Sequence, residues 1–323
     1  MNLSLRTGVM ALVLSLLPLE QNFAQAFPTK PVRIMVGAGA GGGTDILARM
    51  LAEKMGESLK QSFIVENRPG ASNTIAADLT AKAAPDGHTL LVATNTGQAI
   101  APHVLPLSFN PLKDLQPIGL VAVVNNVLIV GPGAGNVRDV KELLASIKAK
   151  GGLRYASSGV GSTQHIAGEA FDLATNTKNT HVPYKGSSQA HVDLLGGQVE
   201  MMFDTTSSAA AHIKSGKLKP LAILAAKRSS EFADVPTLTE AGVTGVDVST
   251  WYALYATGGT PKSTVDALAA ELQRVLRLPD VQAKIKGLGG DVGTLGPIEM
   301  IGFGQSEFER YGALIKAANI KLN

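Results

Sequence analysis

The segment Gly37-Ala38-Gly39-Ala40-Gly41-Gly42-Gly43-Thr44 lies between an apolar run and an amphipathic one, so it reads as a glycine turn feeding a helix. Backbone amides at such a turn are unpaired and sit at the positive end of the helix dipole, which makes the place an anion site. Three ligand chemistries compete there, beside a tight packing turn that holds no ligand. A phosphate-gripping P-loop needs Lys where Gly43 stands, and fails. A dinucleotide fingerprint is matched in letters by Gly37, Gly39 and Gly42, with Glu66 about where a ribose-binding acid would lie. A carboxylate-binding loop asks only for amides and hydroxyls. Asp45 either stabilises its own helix start or orients a ligand group.

Ser157-Ser158-Gly159-Val160-Gly161-Ser162 repeats the device further along, before a helix that Ser162 or Thr163 can cap. It lacks the Gly-x-Ser-x-Gly order of a nucleophile elbow. Alone it reads as a capped helix start; paired with the first loop it becomes the other jaw of a clamp. Tyr184-Lys185-Gly186-Ser187-Ser188 is a third turn of this kind, where Lys185 either faces an anion or is a solvated surface charge. Asp204 follows the apolar run 199–203 and is placed to hydrogen-bond cleft amides or waters. The six histidines show no metal spacing, and no Ser, His and acid set stands out as a triad. One Trp equips the chain poorly for stacking on sugars. Amide-rich turns, hydroxyls and a slight basic excess suit a small organic anion.

Those turns must be held by strands and helices. Short β-rich runs alternate with amphipathic segments, the pattern of an α/β fold with mostly parallel sheets. Strands are expected at 32–36, 63–65, 89–93, 153–156, 181–183 and 199–203, and helices at 44–59, 140–148, 163–173 and 187–195. An Ala-rich helix ends near Ala83, and the chain from Pro261 is helical with breaks at Leu278-Pro279 and at 287–296. Two extended runs, 121–130 and 246–256, read as crossings between two lobes: 27–124 with 249–323, and 125–248.

Arg6, the small and apolar stretch 8–17 and Ala24-Gln25-Ala26 make 1–26 a signal peptide, too short to span a membrane. Without a twin arginine, export is expected to be unfolded, which weighs against a cofactor inserted before export. The 29 Lys and Arg against 26 Asp and Glu leave +3 with no basic stripe, so nucleic acid is not an expected partner. Zero cysteines exclude disulfides, thiolate chemistry and Cys-ligated metals.

The chain resembles the Bug receptors, the periplasmic solute-binding proteins of tripartite tricarboxylate transporters. The matching stretches run in order through the chain. They include Gly41-Gly42-Gly43-Thr44-Asp45, Asn67-Arg68-Pro69-Gly70-Ala71, Pro85-Asp86-Gly87, Ser158-Gly159 with Gly161-Ser162, and Val182-Pro183-Tyr184-Lys185-Gly186. Asp193-Leu194-Leu195-Gly196-Gly197-Gln198-Val199, Met202-Phe203-Asp204, Asp234-Val235-Pro236-Thr237 and Trp251-Tyr252 continue the series. The resemblance implies a two-lobed type II periplasmic-binding fold, hinged to close on its ligand. It implies that the ligand carboxylate is held by amides and bridging waters at Gly41, Gly42, Thr44 and Asp45 and at Ser158, Gly161 and Ser162. Tyr184, Lys185, Gly186 and Asp204 complete the expected ligand-binding set. The family pattern has Pro where Ala40 stands, Gly after Ala71 where Ser72-Asn73 stand, and Tyr where His88 stands.

The expected role is capture of a small carboxylate (a dicarboxylate, an amino acid or an aromatic acid) by lobe closure, and delivery to integral-membrane permease subunits. The expected protein is a periplasmic monomer, not an enzyme, with no catalytic residue, cofactor or metal. The alternatives are an exported α/β enzyme holding a dinucleotide at the first glycine loop, and a receptor that feeds a sensor kinase. The mature chain should begin at Phe27, after the single small-residue cleavage pattern. Intact mass of periplasmic material checks this; retention of residues 1–26 in soluble protein would contradict it.

Overall fold

Leu47, Met50, Leu51 and Met55 are buried along one face of α1 (Gly43–Leu59), as their three- and four-residue spacing requires. The computed structural model describes residues 27–317; the expected signal peptide lies outside them. Around α1 stand β1 (Val32–Val36), β2 (Phe63–Asn67), α2 (Thr74–Ala81) and β3 (Thr89–Thr94). Then come β4 (Leu115–Val130), α3 (Val140–Lys150), β5 (Arg154–Ser157), α4 (Thr163–Thr175), β6 (Thr180–Pro183) and α5 (Ser187–Leu195). β7 (Met201–Thr205), α6 (Thr206–Lys214), β8 (Lys219–Leu224) and β9 (Ser249–Thr257) follow. The chain closes with α7 (Lys262–Leu276), α8 (Pro279–Gly287), β10 (Gly290–Val292) and α9 (Pro297–Ala317). Pro279 opens α8 because a proline costs nothing at a helix start, where its missing N–H would be unpaired anyway.

The strand order is β2-β1-β3-β9-β4-β7-β5-β6, with β8 and β10 also on β4. β1 lies parallel to β2 and β3, and β5 parallel to β6 and β7. Every pairing made by β4 or β9 is antiparallel. The sheet is therefore mixed, where alternation alone suggested mostly parallel pairing. β9 follows the irregular stretch 225–248 rather than a helical crossover, and antiparallel neighbours need no crossover.

β4 belongs to both halves. Leu115 to Asn125 pair with β9, and Asn126 to Val130 pair with β7 and β8. It begins earlier than its β-branched run predicts, because Pro117 and Gly119 interrupt the pattern; the register shifts between them, where a proline is tolerated. In β9 the side chains alternate: Tyr252, Leu254 and Ala256 face the core under α1 and α7, while Trp251, Ala253 and Tyr255 face the core that includes Met300 and Tyr311 of α9. Separate cores underlie the second half, one around Tyr155, Phe171 and Phe203, the other around Ile223, Met202 and Leu194.

Phe171 of α4 is fully buried, with its ring centroid 5.3 Å from that of Phe203. Phe171→Ala should destabilise the protein by about 3–5 kcal/mol in denaturant unfolding, the usual cost of an emptied aromatic site. A loss under about 1 kcal/mol would mean that this core repacks freely.

Candidate functional site

The loops after β1, β5, β6 and β7 each lead straight into a helix, so α1, α4, α5 and α6 all begin at the carboxyl ends of strands. Their first residues meet. A cavity of about 30 Å³ is lined by Gly42, Gly43 and Thr44 at α1, Thr163 and Gln164 at α4, Ser187 at α5, and Thr205 and Ser208 at α6. Asn73, Thr94, Thr96, Ser158, Thr250, Tyr252 and Ala38 close it. Ten of these fifteen residues carry a hydroxyl and none is charged.

The two sides touch across this cavity. The Gly43 amide donates to Ser208 Oγ at 2.9 Å, and the Thr163 amide to Thr96 Oγ1 at 3.4 Å. Thr163 Oγ1 lies 2.8 Å from Thr250 Oγ1, and Ser207 Oγ 2.8 Å from the Tyr252 hydroxyl. Further out, Ser72 Oγ donates to the Val160 carbonyl and Ser188 Oγ to the Ala40 carbonyl at 3.0 Å. Ala71, Ser72 and Asn73 all have left-handed backbones (φ 42°, 53° and 71°), a conformation that costs a non-glycine residue free energy. This strained run carries Ser72 to its cross-cleft bond and Asn73 to the cavity wall.

A second chamber of about 260 Å³ adjoins the first through Asn73 and Ser158. Gly70, Ser72, Gly159, Val160, Tyr184 and Lys185 line it. Lys185 is exposed and makes no ion pair among the described residues. The Tyr184 hydroxyl donates to Asp193 at 2.7 Å; burial and that carboxylate push its pKa up to about 12.

Residues 47–320 match the family described as tripartite tricarboxylate transporter family receptor. The chain belongs to that family. The receptor is similar to the solved periplasmic binding protein BugD (33% identity, TM-score 0.86, covering 91% of this chain and 99% of that one). It is also similar to an R. palustris protein solved with adipate (32% identity, TM-score 0.88, covering 91% and 99%). MatC from Rhodopseudomonas palustris, solved with bound malate, is a third (32% identity, TM-score 0.84, covering 90% and 100%). The expected two-lobed periplasmic-binding fold is thereby established.

The receptor distributes its expected site residues over three positions. Gly42, Thr44 and Ser158 line the inner cavity, while Ser158, Tyr184 and Lys185 line the outer chamber. The others act from behind. Asp45 is turned to its own loop, accepting from the Gly41 amide, Arg49 and Asn67, each at 2.9 Å. Burial pushes the Asp45 pKa up, but those hydrogen bonds outweigh it and hold the carboxyl below its ordinary range. Ser162 accepts from the His165 amide as a helix cap, and the Gly161 amide donates to His165 Nδ1 at 3.0 Å. Gly186 precedes α5 with φ 141°.

Asp204 is fully buried rather than facing the cleft. Its carboxylate takes Ser187 Oγ at 2.7 Å and His191 Nε2 at 2.6 Å, and so fixes a hydroxyl of the cavity wall. Burial works against charge on His191, but the Asp204 carboxylate prevails and raises its pKa. The order is serine to acid to histidine, so no imidazole reaches Ser187 to activate it as a nucleophile. Gly37 of the letter-perfect dinucleotide fingerprint serves packing: a Cβ there would sit 2.6 Å from Asn73 Cα. Glu66 is engaged by Arg68 at 3.1 Å and Arg33 at 3.8 Å.

Thr94, Thr96, Thr205, Ser208, Thr250 and Tyr252 escaped the reading of the sequence. Thr205-Thr206-Ser207-Ser208 carried a usable signal, a run of four hydroxyls at the end of the buried strand β7. Thr250 and Tyr252 are on β9 and had no local signature.

His165 and His181 stack beneath the Ser157–Ser162 turn, centroids 3.9 Å apart and planes 9° from parallel. Accepting from Gly161 leaves the His165 proton on Nε2, 3.6 Å from Glu169. His181 Nε2 lies 2.6 Å from Ser157 Oγ. Burial lowers both pKa values, that of His181 to about 3. Between pH 6.5 and that value the unfolded chain binds more protons, so this contribution is whole above pH 6.5 and is lost as pH falls. His181→Gln should flatten the acid decline of unfolding free energy over that window by up to about 1.4 kcal/mol per pH unit. Superimposable pH–stability curves for the two proteins would contradict it.

Proposed function

We propose that the receptor captures a small dicarboxylate, with one carboxylate at the four converging helix N-termini and the rest of the molecule in the outer chamber near Lys185. The observation that carries this reading is a cavity with four helix starts, ten hydroxyls and no charged side chain. Each helix start contributes about half a positive charge, and an anion there also gains amide and hydroxyl donors. Carboxylate oxygens would replace Ser208 and Thr96 as acceptors of the Gly43 and Thr163 amides. The adipate and malate bound by similar proteins are of this chemical class. The lobes proposed to close are 27–124 with 249–323, and 125–248, moving about the crossings β4 and β9. A periplasmic, monomeric receptor delivering its ligand to permease subunits, with no chemistry of its own, completes the proposal.

Malate at 100-fold its dissociation constant should raise the unfolding free energy by about 2.7 kcal/mol. Two variants, each first shown to have native circular dichroism, then divide the site by isothermal titration. Gly161 has φ +73° and an added Cβ would lie 3.0 Å from Val104 Cγ2, so Gly161→Val should abolish binding by displacing the second jaw. Lys185→Met should weaken malate by about ten- to a hundredfold, the loss of one charge-assisted hydrogen bond, and leave a monocarboxylate unaffected. Elimination of binding by Lys185→Met with retention in Gly161→Val would mean that a salt bridge holds the anion. A melting shift with NAD and with no organic acid would favour the dinucleotide enzyme.

A further inference from the structure

On the far side of β9 from α1, a separate cavity of about 330 Å³ opens between α9 and the 111–117 segment. Its walls include Leu112, Leu115, Met300 and Ile301, and no charged side chain lines it. Ile301 and Leu112 are 60% and 39% exposed, an apolar rim. Two buried polar side chains sit in this lining, Tyr255 at 5% and Gln98 at 4% exposure, with the exposed Gln305 at its edge. Gln98 Nε2 has no hydrogen-bond partner. Burial raises the Tyr255 pKa, so its hydroxyl stays protonated and able to donate. Buried polar groups are nearly always paired, so the unpaired Gln98 amide in the wall of an apolar cavity points to a ligand.

We propose that this cavity is a second binding site, for a neutral, largely apolar molecule bearing one hydroxyl or carbonyl. The volume lies within the ordinary range for small-molecule sites, and an apolar lining with few polar groups is their usual construction. With no charge and one hydroxyl in the lining, against ten hydroxyls in the cleft, a carboxylate here would pay its desolvation uncompensated. Gln98 and Tyr255 supply the polar handles, and the exposed rim is the entrance.

The test uses 2-naphthol, neutral at pH 7, titrated fluorimetrically into the mature receptor. It should bind one-to-one. Gly304→Leu and Gly302→Leu extend side chains into the cavity from α9, where an added Cβ meets only Leu112 Cδ2 at 3.9 Å or nothing within 4 Å. Both should weaken 2-naphthol by more than about tenfold while malate titrates as in the wild type, and Tyr255→Phe should weaken it by about threefold to tenfold. Three results would overturn the proposal. One is no saturable binding to the wild type; another is equal binding by both filled variants. The third is a concentration-dependent dimer, abolished by Gly304→Leu without 2-naphthol binding, which would make this face a contact between copies.

Discussion

Four helices that start at strand ends around one point impose the main constraint on this receptor. Each start leaves amides without intrahelical partners, and a cavity of about 30 Å³ cannot leave many of them unpaired. The chain meets the demand with hydroxyls from the opposite side, Ser208 for Gly43 and Thr96 for Thr163. The layer behind is equally committed: Asp45 ties down the first loop, Asp204 fixes Ser187, and His165 holds the Gly161 amide. The carboxylates and imidazoles nearest the cavity thus shape it without lining it.

The two halves communicate through few elements. β4 pairs with β9 on one side and with β7 and β8 on the other, changing partners between Asn125 and Asn126. Thr250 of β9 donates to Asn126 at 3.2 Å and also meets Thr163 of α4, so one short chain of polar contacts runs from the crossing strands to the helix start. The left-handed run at Ala71 to Asn73 presses on the other edge of the cleft, where strain in the first half is matched by a bond from Ser72 to the second.

Much of this was legible in the residues. The amphipathic spacing of Leu47, Met50, Leu51 and Met55 located α1, and the glycine and serine turns located three of the four helix starts. The fourth, Thr205 to Ser208, carries no such stripe, because α6 is nine residues long and buries only small side chains, Thr206 to Ala210. β10 was read only as a break, since a three-residue strand containing Gly290 exists by pairing with β4. Site membership was harder than site location. Asp204 and Ser162 lie near the cavity in sequence but point away from it, and side-chain direction depends on tertiary partners such as His191 and His165. Thr250 and Tyr252 enter from a strand far away in the chain, which no local pattern encodes.

The neutral lining of the inner cavity carries a consequence for ionic strength. Dipoles and hydroxyls sealed between the halves lie beyond the reach of mobile ions, whereas Lys185 is solvent-exposed and subject to a screening length of about 8 Å at physiological salt. With an anion bound as proposed, the grip on its inner carboxylate would hold nearly constant from dilute to concentrated salt, while the outer attraction faded. Discrimination between one-headed and two-headed acids would then track the ionic strength of the medium, and the surroundings would set the receptor's selectivity without altering a residue.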